Sequence, residues 1–510
     1  MRKEINELKL GAILSYVSLF IGNLISILYT PIALRMLGQS EYGLISLSSS
    51  TVSYLSLLSF GIGTSYIRYN TKYRVEKDKE GEYRLNGMYL IINIILSIIL
   101  CIAGLILIIN IDDIFKYNLT SAELQKTKLI MGILIINMAI SFIMNVFVMN
   151  INAYEKFIVF RLISIISTII TPLVNIPLLF MGVKSVGLTL CSLVLSIIGF
   201  IVQVIYCFKV LNIKFIFNKF DKQILKEIFI FSSFMFLNSV TDQITFNTDK
   251  FLLGIYSGTA AVAIYTVGAQ FNNYYLSFST SISNVFIPRI NQMVLANQNE
   301  EDISDLFIRI GRIQYIILAL ILSGYIIFGK RFVYFLAGDG YEDAFYIGLL
   351  LLISITVPCI QNIGLEILKA KNMHKYRSIV YFCIAVFNVF ISITMCKVWG
   401  GIGCALGTTI SMLLGTVIFM NIYYYKKIHL DIPKFWIEIV KMFKGLVIPI
   451  IFGIFMLDRI NQSNLIEFFI LGIIYVLIYS ICCYILSMNQ YEKDLIRDPI
   501  LRMKGRLLRG

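Results

Sequence analysis

The sequence predicts an all-α polytopic membrane protein of about fourteen transmembrane helices, on three observations. The 510 residues are 58% hydrophobic and only 15% charged, with a mean hydropathy of +0.81. Soluble domains average about 45–50% apolar and 25% charged. Apolar runs of about 20 residues, the length a helix needs to cross hydrocarbon, recur from one end of the chain to the other. Lys and Arg alternate with them: 34 of the 44 fall in every second connection and 10 in the others. One missed or added span would scramble that alternation, so the charge bias supports the helix number.

In chain order, Met1–Lys9 is charged and is expected along the membrane surface. The apolar run from Leu10 to Leu34 is too long for a signal-peptide core and lacks a small-residue cleavage site, so it reads as a retained first helix. Further spans follow at 42–67, 86–109, 129–150, 157–181 and 186–208. A second group runs at 228–254, 260–287, 308–328, 345–368, 377–397 and 402–425, and a final pair at 438–457 and 465–487. An even number of spans places both termini on one side, and the positive-inside rule makes that side cytoplasmic.

Three sequence echoes imply an internal repeat. Gly38-Gln-Ser-Glu-Tyr42-Gly43-Leu44 follows the first span and Gly258-Thr-Ala-Ala-Val262-Ala263-Ile264 the seventh, an offset of 220 residues. Ala153-Tyr-Glu-Lys and Ala370-Lys-Asn-Met lie 217 apart, and Val186-Gly187 and Ile402-Gly403 lie 216 apart. Six helices return a chain to its starting side, so a near-constant offset fits two six-helix halves of parallel topology. The expected divisions are an N-terminal lobe at 1–212, a C-terminal lobe at 213–428, two further spans within 429–490 and a basic cytoplasmic tail at 491–510. No soluble domain interrupts this plan. Arg68–Arg84, the longest hydrophilic piece, mixes both signs of charge and reads as a solvated loop.

Composition excludes several function classes. The net charge of +14 sits in short connections between apolar spans, where it reports orientation rather than nucleic-acid binding. The nine cysteines form no CxxC, and His374 and His429 lie in different loops, so no metal site or bound cofactor is expected. Short outward connections without histidine argue against a membrane-embedded glycan polymerase or ligase, hence against an enzyme. No filter-like loop marks a channel.

Charged side chains at membrane depth are costly and face water or a partner, so they define the candidate site. Asn238, Asp242, Thr245 and Asp249 fall at i, i+4, i+7 and i+11, one face of the seventh helix. Asp242 and Asp249 are candidate coupling groups, protonatable or cation-binding; an interhelical salt bridge or helix cap is the alternative. Lys250, adjacent to Asp249, points to a different face. The other candidate cations are Arg35, Arg68, Arg161, Arg289, Arg309 and Arg312, each at or near a span end, where interfacial anchoring is the competing reading. Glu366 is a third coupling candidate, though Lys369 lies at i+3 and suits a simple ion pair. Asn23, Asn93, Asn137, Asn145, Asn175 and Asn388 stud apolar helices and serve either helix packing or sugar contact.

Several of these residues also resemble a known family. LYTPIALRMLGQSEYGLISL (28–47) resembles the opening signature of bacterial polysaccharide flippases, a proline-containing helix and a Leu-Gly…Tyr-Gly-Leu turn. DKFLLGIYSGTAAVAIYTVGAQ (249–270) resembles the signature that opens their second half, and GVKSVGLTL (182–190) and WGGIGCALGTT (399–409) resemble their small-residue turns. The resemblance runs from about residue 5 to 485, within the multidrug/oligosaccharidyl-lipid/polysaccharide exporter superfamily. It implies two pseudo-symmetric six-helix lobes in a MATE-like V, with two C-terminal helices associated with the lipid tail. The implied activity is alternating-access flipping of an undecaprenyl-pyrophosphate-linked oligosaccharide, O-antigen or capsule repeat units, across the bacterial cytoplasmic membrane. Implied partners are that glycan, the lipid bilayer, a polysaccharide polymerase and chain-length machinery; the coupling ion, H⁺ or Na⁺, stays open. A peptidoglycan-precursor flippase and a multidrug or cation antiporter of the same superfamily are the alternatives.

Overall fold

A computed structural model describes residues 2–218, 222–457 and 465–507. No strand occurs among the described residues. The helices in chain order are α1 (Arg2–Ser53), α2 (Ile62–Val75), α3 (Lys79–Ile109), α4 (Ile111–Phe115), α5 (Ser121–Ala153), α6 (Phe157–Phe180) and α7 (Ser185–Lys209). Next come α8 (Lys222–Tyr256), α9 (Gly258–Leu295), α10 (Glu300–Ala337), α11 (Glu342–Ile360), α12 (Asn362–Ala370) and α13 (His374–Leu413). The chain closes with α14 (Asn421–Lys427), α15 (Ile432–Met442), α16 (Lys444–Leu457), α17 (Leu465–Leu486) and α18 (Gln490–Leu507).

Among the described residues, ten stretches are long and apolar enough to cross a membrane. Two of them, Val17–Ser59 and Lys375–Lys427, each take in residues of two expected spans, although the second expected span, 42–67, is broken at Phe60 and Gly61 before α2 begins. They bend at Gly38 (φ 75°) and Gly400 (φ 53°), where the backbone leaves the helical region. The expected seventh and eighth spans, 228–254 and 260–287, coincide with α8 and α9.

The surface of these helices explains why they belong in lipid. On α3, Ile95, Ile98, Ile102, Leu105, Ile106 and Ile109 are exposed, whereas Leu96, Leu100 and Gly104 are buried. Water would penalise that outward stripe by about 25 cal/mol per Å², so hydrocarbon is its solvent. Polar residues instead start the helices. Thr120 and Glu123 form a reciprocal capping box on α5, Asp78 accepts from Gly81 N–H at 2.8 Å on α3, and Asp431 accepts from Lys434 N–H at 2.9 Å on α15.

The repeat heard in the sequence has a backbone counterpart. Five pairs of residues with positive φ recur through the chain: Gly38 and Gly258, Lys77 and Asn297, Glu155 and Asn372, Gly182 and Gly400, Asn212 and His429. Their separations are 220, 220, 217, 218 and 217 residues. L-residues pay strain in this region, so a shared set of left-handed corners at one spacing is the signature of a duplicated six-helix plan.

By contacts the chain forms two compact units. The first comprises Met1–Thr266 and Ala385–Gly407, the second Val267–Ile384 and Thr408–Gly510. In the first, α1 packs on α6 and α8, and α5 on α3 and α7. Its core includes Phe147, Ile151, Cys207 and Ile213. In the second, α10 packs on α11, α15, α16 and α17, around Ile327, Phe328, Phe468 and Tyr475. Within the stretch expected as a basic tail, Gln490–Leu507 form α18. Asn489 Oδ1 accepts from Glu492 N–H and Glu492 Oε2 from Asn489 N–H, both at 2.9 Å, a second capping box.

Candidate functional site

Within the first unit the polar residues of α8 are graded along the helix. Asp242 is exposed, Asn238 and Thr245 are half-buried, and Asp249 is buried. The Tyr265 hydroxyl, on the first turns of α9, donates to Asp249 Oδ2 at 2.5 Å. A charge-assisted bond of this kind is what a buried carboxylate requires. One residue earlier, Thr248 meets the Tyr54 hydroxyl at 2.8 Å, and Gln243 donates to Ser56 Oγ at 3.1 Å. The Tyr69 hydroxyl donates to Glu227 Oε2 at 2.7 Å, so α8 is bound by polar contacts along its length. Lys250 is half-buried on the neighbouring face.

The signature-like turn after the first span builds a corner. Ser40 donates to Glu123 Oε1 at 2.6 Å, and Thr259 donates to the same oxygen at 2.7 Å. Glu41, buried, takes Lys126 and Ser185. Gly43 lies so close to Thr259 that an added Cβ would sit 1.9 Å from its carbonyl oxygen. These residues were not singled out from sequence as site candidates. Their signal was the turn motif itself, which specifies a close approach rather than a ligand.

In the second unit the basic candidates separate into different roles. Arg312 is buried and fully engaged. Its Nε donates to Glu492 Oε1 at 2.6 Å and one terminal nitrogen to Glu492 Oε2 at 2.9 Å. The other terminal nitrogen reaches Glu438 Oε2 at 2.8 Å, and the Ser487 carbonyl accepts at 2.9 Å. This fork ties α10 to α15 and to the start of α18. Arg309, one turn earlier, is exposed, with its guanidinium 4.4 Å from the centroid of the Tyr491 ring. Arg289, also exposed, lies on α9 and lines the same cavity of about 430 Å³ as Arg309. Gln298, Asp302, Asp305 and Tyr491 complete its polar lining.

The remaining candidates are dispersed. Arg35 is exposed on α1 three residues before the Gly38 bend, Arg68 is exposed midway along α2, and Arg161 is half-buried with its guanidinium 5.7 Å from the Phe160 ring centroid. Glu366 pairs with Lys369 at 2.8 Å. Among the asparagines, Asn93 donates to the Tyr89 carbonyl at 2.8 Å and Asn175 to the Tyr29 hydroxyl at 3.3 Å. Asn388 Oδ1 accepts from Ser392 at 2.9 Å; the Asn93 and Asn388 bonds lie within one helix, whereas the Asn175 bond joins α6 to α1. No group of three or more potential metal ligands occurs among the described residues.

This polytopic helical fold has counterparts among solved structures. The structure titled "Lipid II flippase MurJ, inward closed conformation" matches with a TM-score of 0.74 at 16% identity, covering 95% of this chain and 100% of that chain. An inward-facing multidrug resistance MATE family transporter of the MOP superfamily matches with 0.64 at 14% identity, covering 83% and 98%. A eukaryotic MATE transporter gives 0.56 at 16% identity, covering 86% and 98%. A family model described as "Polysaccharide biosynthesis protein" matches residues 8–294, and the chain belongs to that family. No curated protein sequence matches it significantly.

Proposed function

We propose that this protein is a flippase that carries an undecaprenyl-pyrophosphate-linked oligosaccharide from the inner to the outer leaflet of a bacterial cytoplasmic membrane, by alternating access, for surface polysaccharide synthesis. The match of residues 8–294 to the polysaccharide biosynthesis family, on a transporter fold, carries this reading. The physics of the task agrees with it. A diphosphate and several sugars must cross about 30 Å of hydrocarbon without shedding their hydrogen bonds, while the polyprenyl tail stays in lipid. Cations and polar faces inside an apolar exterior suit that division. The reaction is transport, with no covalent step.

In this reading the two six-helix lobes span 1–212 and 213–428, with both termini cytoplasmic as the bias of 34 to 10 basic residues requires. If a proton or sodium gradient, rather than the membrane potential, drives transport, Asp242 and Asp249 are its candidate coupling groups. The polymerase and chain-length machinery act after it.

Deleting the gene and measuring lipid-linked glycans by mass spectrometry, with sidedness probed by an impermeant lectin, tests the proposal. Complete repeat units should accumulate facing the cytoplasm while surface polysaccharide is lost. Single units outside but unpolymerised would place the protein after flipping. Accumulation of peptidoglycan precursor would assign the alternative cargo. Unchanged glycans with altered drug resistance would move it to the multidrug branch.

A further inference from the structure

We propose that the cavity between α9, α10 and α18 is a seat for a phosphorylated sugar, with Arg289 and Arg309 holding the phosphate. This inference rests on the flippase reading and deepens it, by assigning where the headgroup of the cargo docks on the second unit. Arg309 and Arg312 look alike in the sequence, three residues apart at the start of one span. Their surroundings differ completely. Arg312 is surrounded by the carboxylates of Glu492 and Glu438, so it has no capacity for a ligand. Among the described residues Arg309 and Arg289 form no ion pair, and both line one cavity of about 430 Å³. Neither guanidinium is bonded to a carboxylate among the described residues, so both keep donors for an anion; of the two carboxylates in the lining, Asp305 is paired with Lys434 and Asp302 is not. Guanidinium forks match phosphate oxygens two by two, which separates this arrangement from a pair of interfacial lysines.

The rest of the lining favours a sugar beside the phosphate rather than a bare anion. Asp305 is paired with Lys434 at 2.9 Å, so its charge is offset, yet its carboxylate retains acceptor capacity. Asp302 and Gln298 add acceptors and a donor for hydroxyl groups. A volume of about 430 Å³ falls at the lower end of the range for small-molecule sites, room for one phosphosugar unit. Tyr491 holds the Arg309 guanidinium in place from α18, and the adjacent Glu492 is fixed by Arg312 and by its capping box. The buried pair thus positions one wall of the seat.

The test uses the purified full-length chain in detergent and three probes: inorganic pyrophosphate, a short-chain polyprenyl-diphosphate N-acetylglucosamine, and phosphatidylglycerol vesicles. Wild type should bind the polyprenyl-diphosphate sugar. R289Q and R309Q should each weaken it about tenfold, R309K should fall between, and D302N should weaken the sugar-bearing probe while sparing pyrophosphate. Because both arginines are exposed, melting temperatures should be unchanged. Equal affinity in wild type and R289Q/R309Q would overturn the seat, as would an arginine-dependent loss confined to phosphatidylglycerol, which would make the cavity a phospholipid site. A transport assay in proteoliposomes separates the two readings. Arginine-dependent binding without lipid movement keeps the seat and removes the flippase; lipid movement with arginine-independent binding does the reverse.

Discussion

Replacing Arg312 with methionine leaves Glu492, whose side chain is 2% exposed, as a buried carboxylate without its cation. Removing one partner of such a pair costs about 3–5 kcal/mol, because the remaining charge is desolvated without compensation. R312M and E492M should therefore each lower the melting temperature in detergent clearly, and R312M/E492M should regain much of the loss. Equal melting in all four proteins would show that the fork contributes nothing to holding α18. The same substitutions at Arg309 should leave melting unaltered, since it is exposed and its guanidinium lies over the Tyr491 ring. Sequence spacing cannot separate these two arginines. What separates them is Glu492, some 180 residues away, and no local pattern encodes that pairing. The Glu366–Lys369 pair is the opposite case: both partners lie within one helical turn, so the sequence offers the ion pair directly.

At the scale of an element, the corner between the first two spans sets two glycines against each other. Gly38 has φ 75° and open space around a would-be Cβ, whereas Gly43 would place that Cβ 1.9 Å from the Thr259 carbonyl oxygen. G38A must leave or strain a backbone at φ 75°, ψ 173°, a region essentially confined to glycine, at a cost of about 1–3 kcal/mol, but it meets no neighbour. G43A must displace backbone, and the contact of α1 with the start of α9 should open. Thermal melting with Ser40–Glu123 proximity followed by cross-linking distinguishes them: G38A lowers melting but keeps the cross-link, whereas G43A loses both. A native-like G43A would mean that the corner yields without consequence. The span positions were legible because hydrocarbon imposes length and composition. The corners were half legible: the glycines and the offset of about 217–220 residues could be read, but not that Lys77, Glu155 and Asn372 share the left-handed conformation. Helix α18 went unread because its apolar content is low. Its one local sign was Asn489-Gln-Tyr-Glu492, a capping box hidden in a basic tail.

For the whole molecule, on the proposed flippase function, the decisive quantity is charge moved across the bilayer. A diphosphate carried outward from an inside-negative compartment travels down the electrical gradient, at about 2.3 kcal/mol per charge per 100 mV. Two charges at that potential gain about 4.6 kcal/mol, enough to drive accumulation without any ion gradient. If the protein compensates the cargo's charge by moving cations with it, or by shuttling a proton on Asp242 or Asp249, that dependence shrinks and a gradient dependence replaces it. Proteoliposomes carrying a potassium diffusion potential decide between these. With the donor side negative, lipid movement should accelerate, and collapsing the potential should slow it while pH and sodium are held equal on both sides. D249N should retain that response, because the Tyr265 hydroxyl still has an amide oxygen to donate to and the net cargo charge is unchanged. A rate indifferent to potential but steep in a proton or sodium gradient, and lost in D249N, would instead make the buried carboxylate of α8 the coupling group.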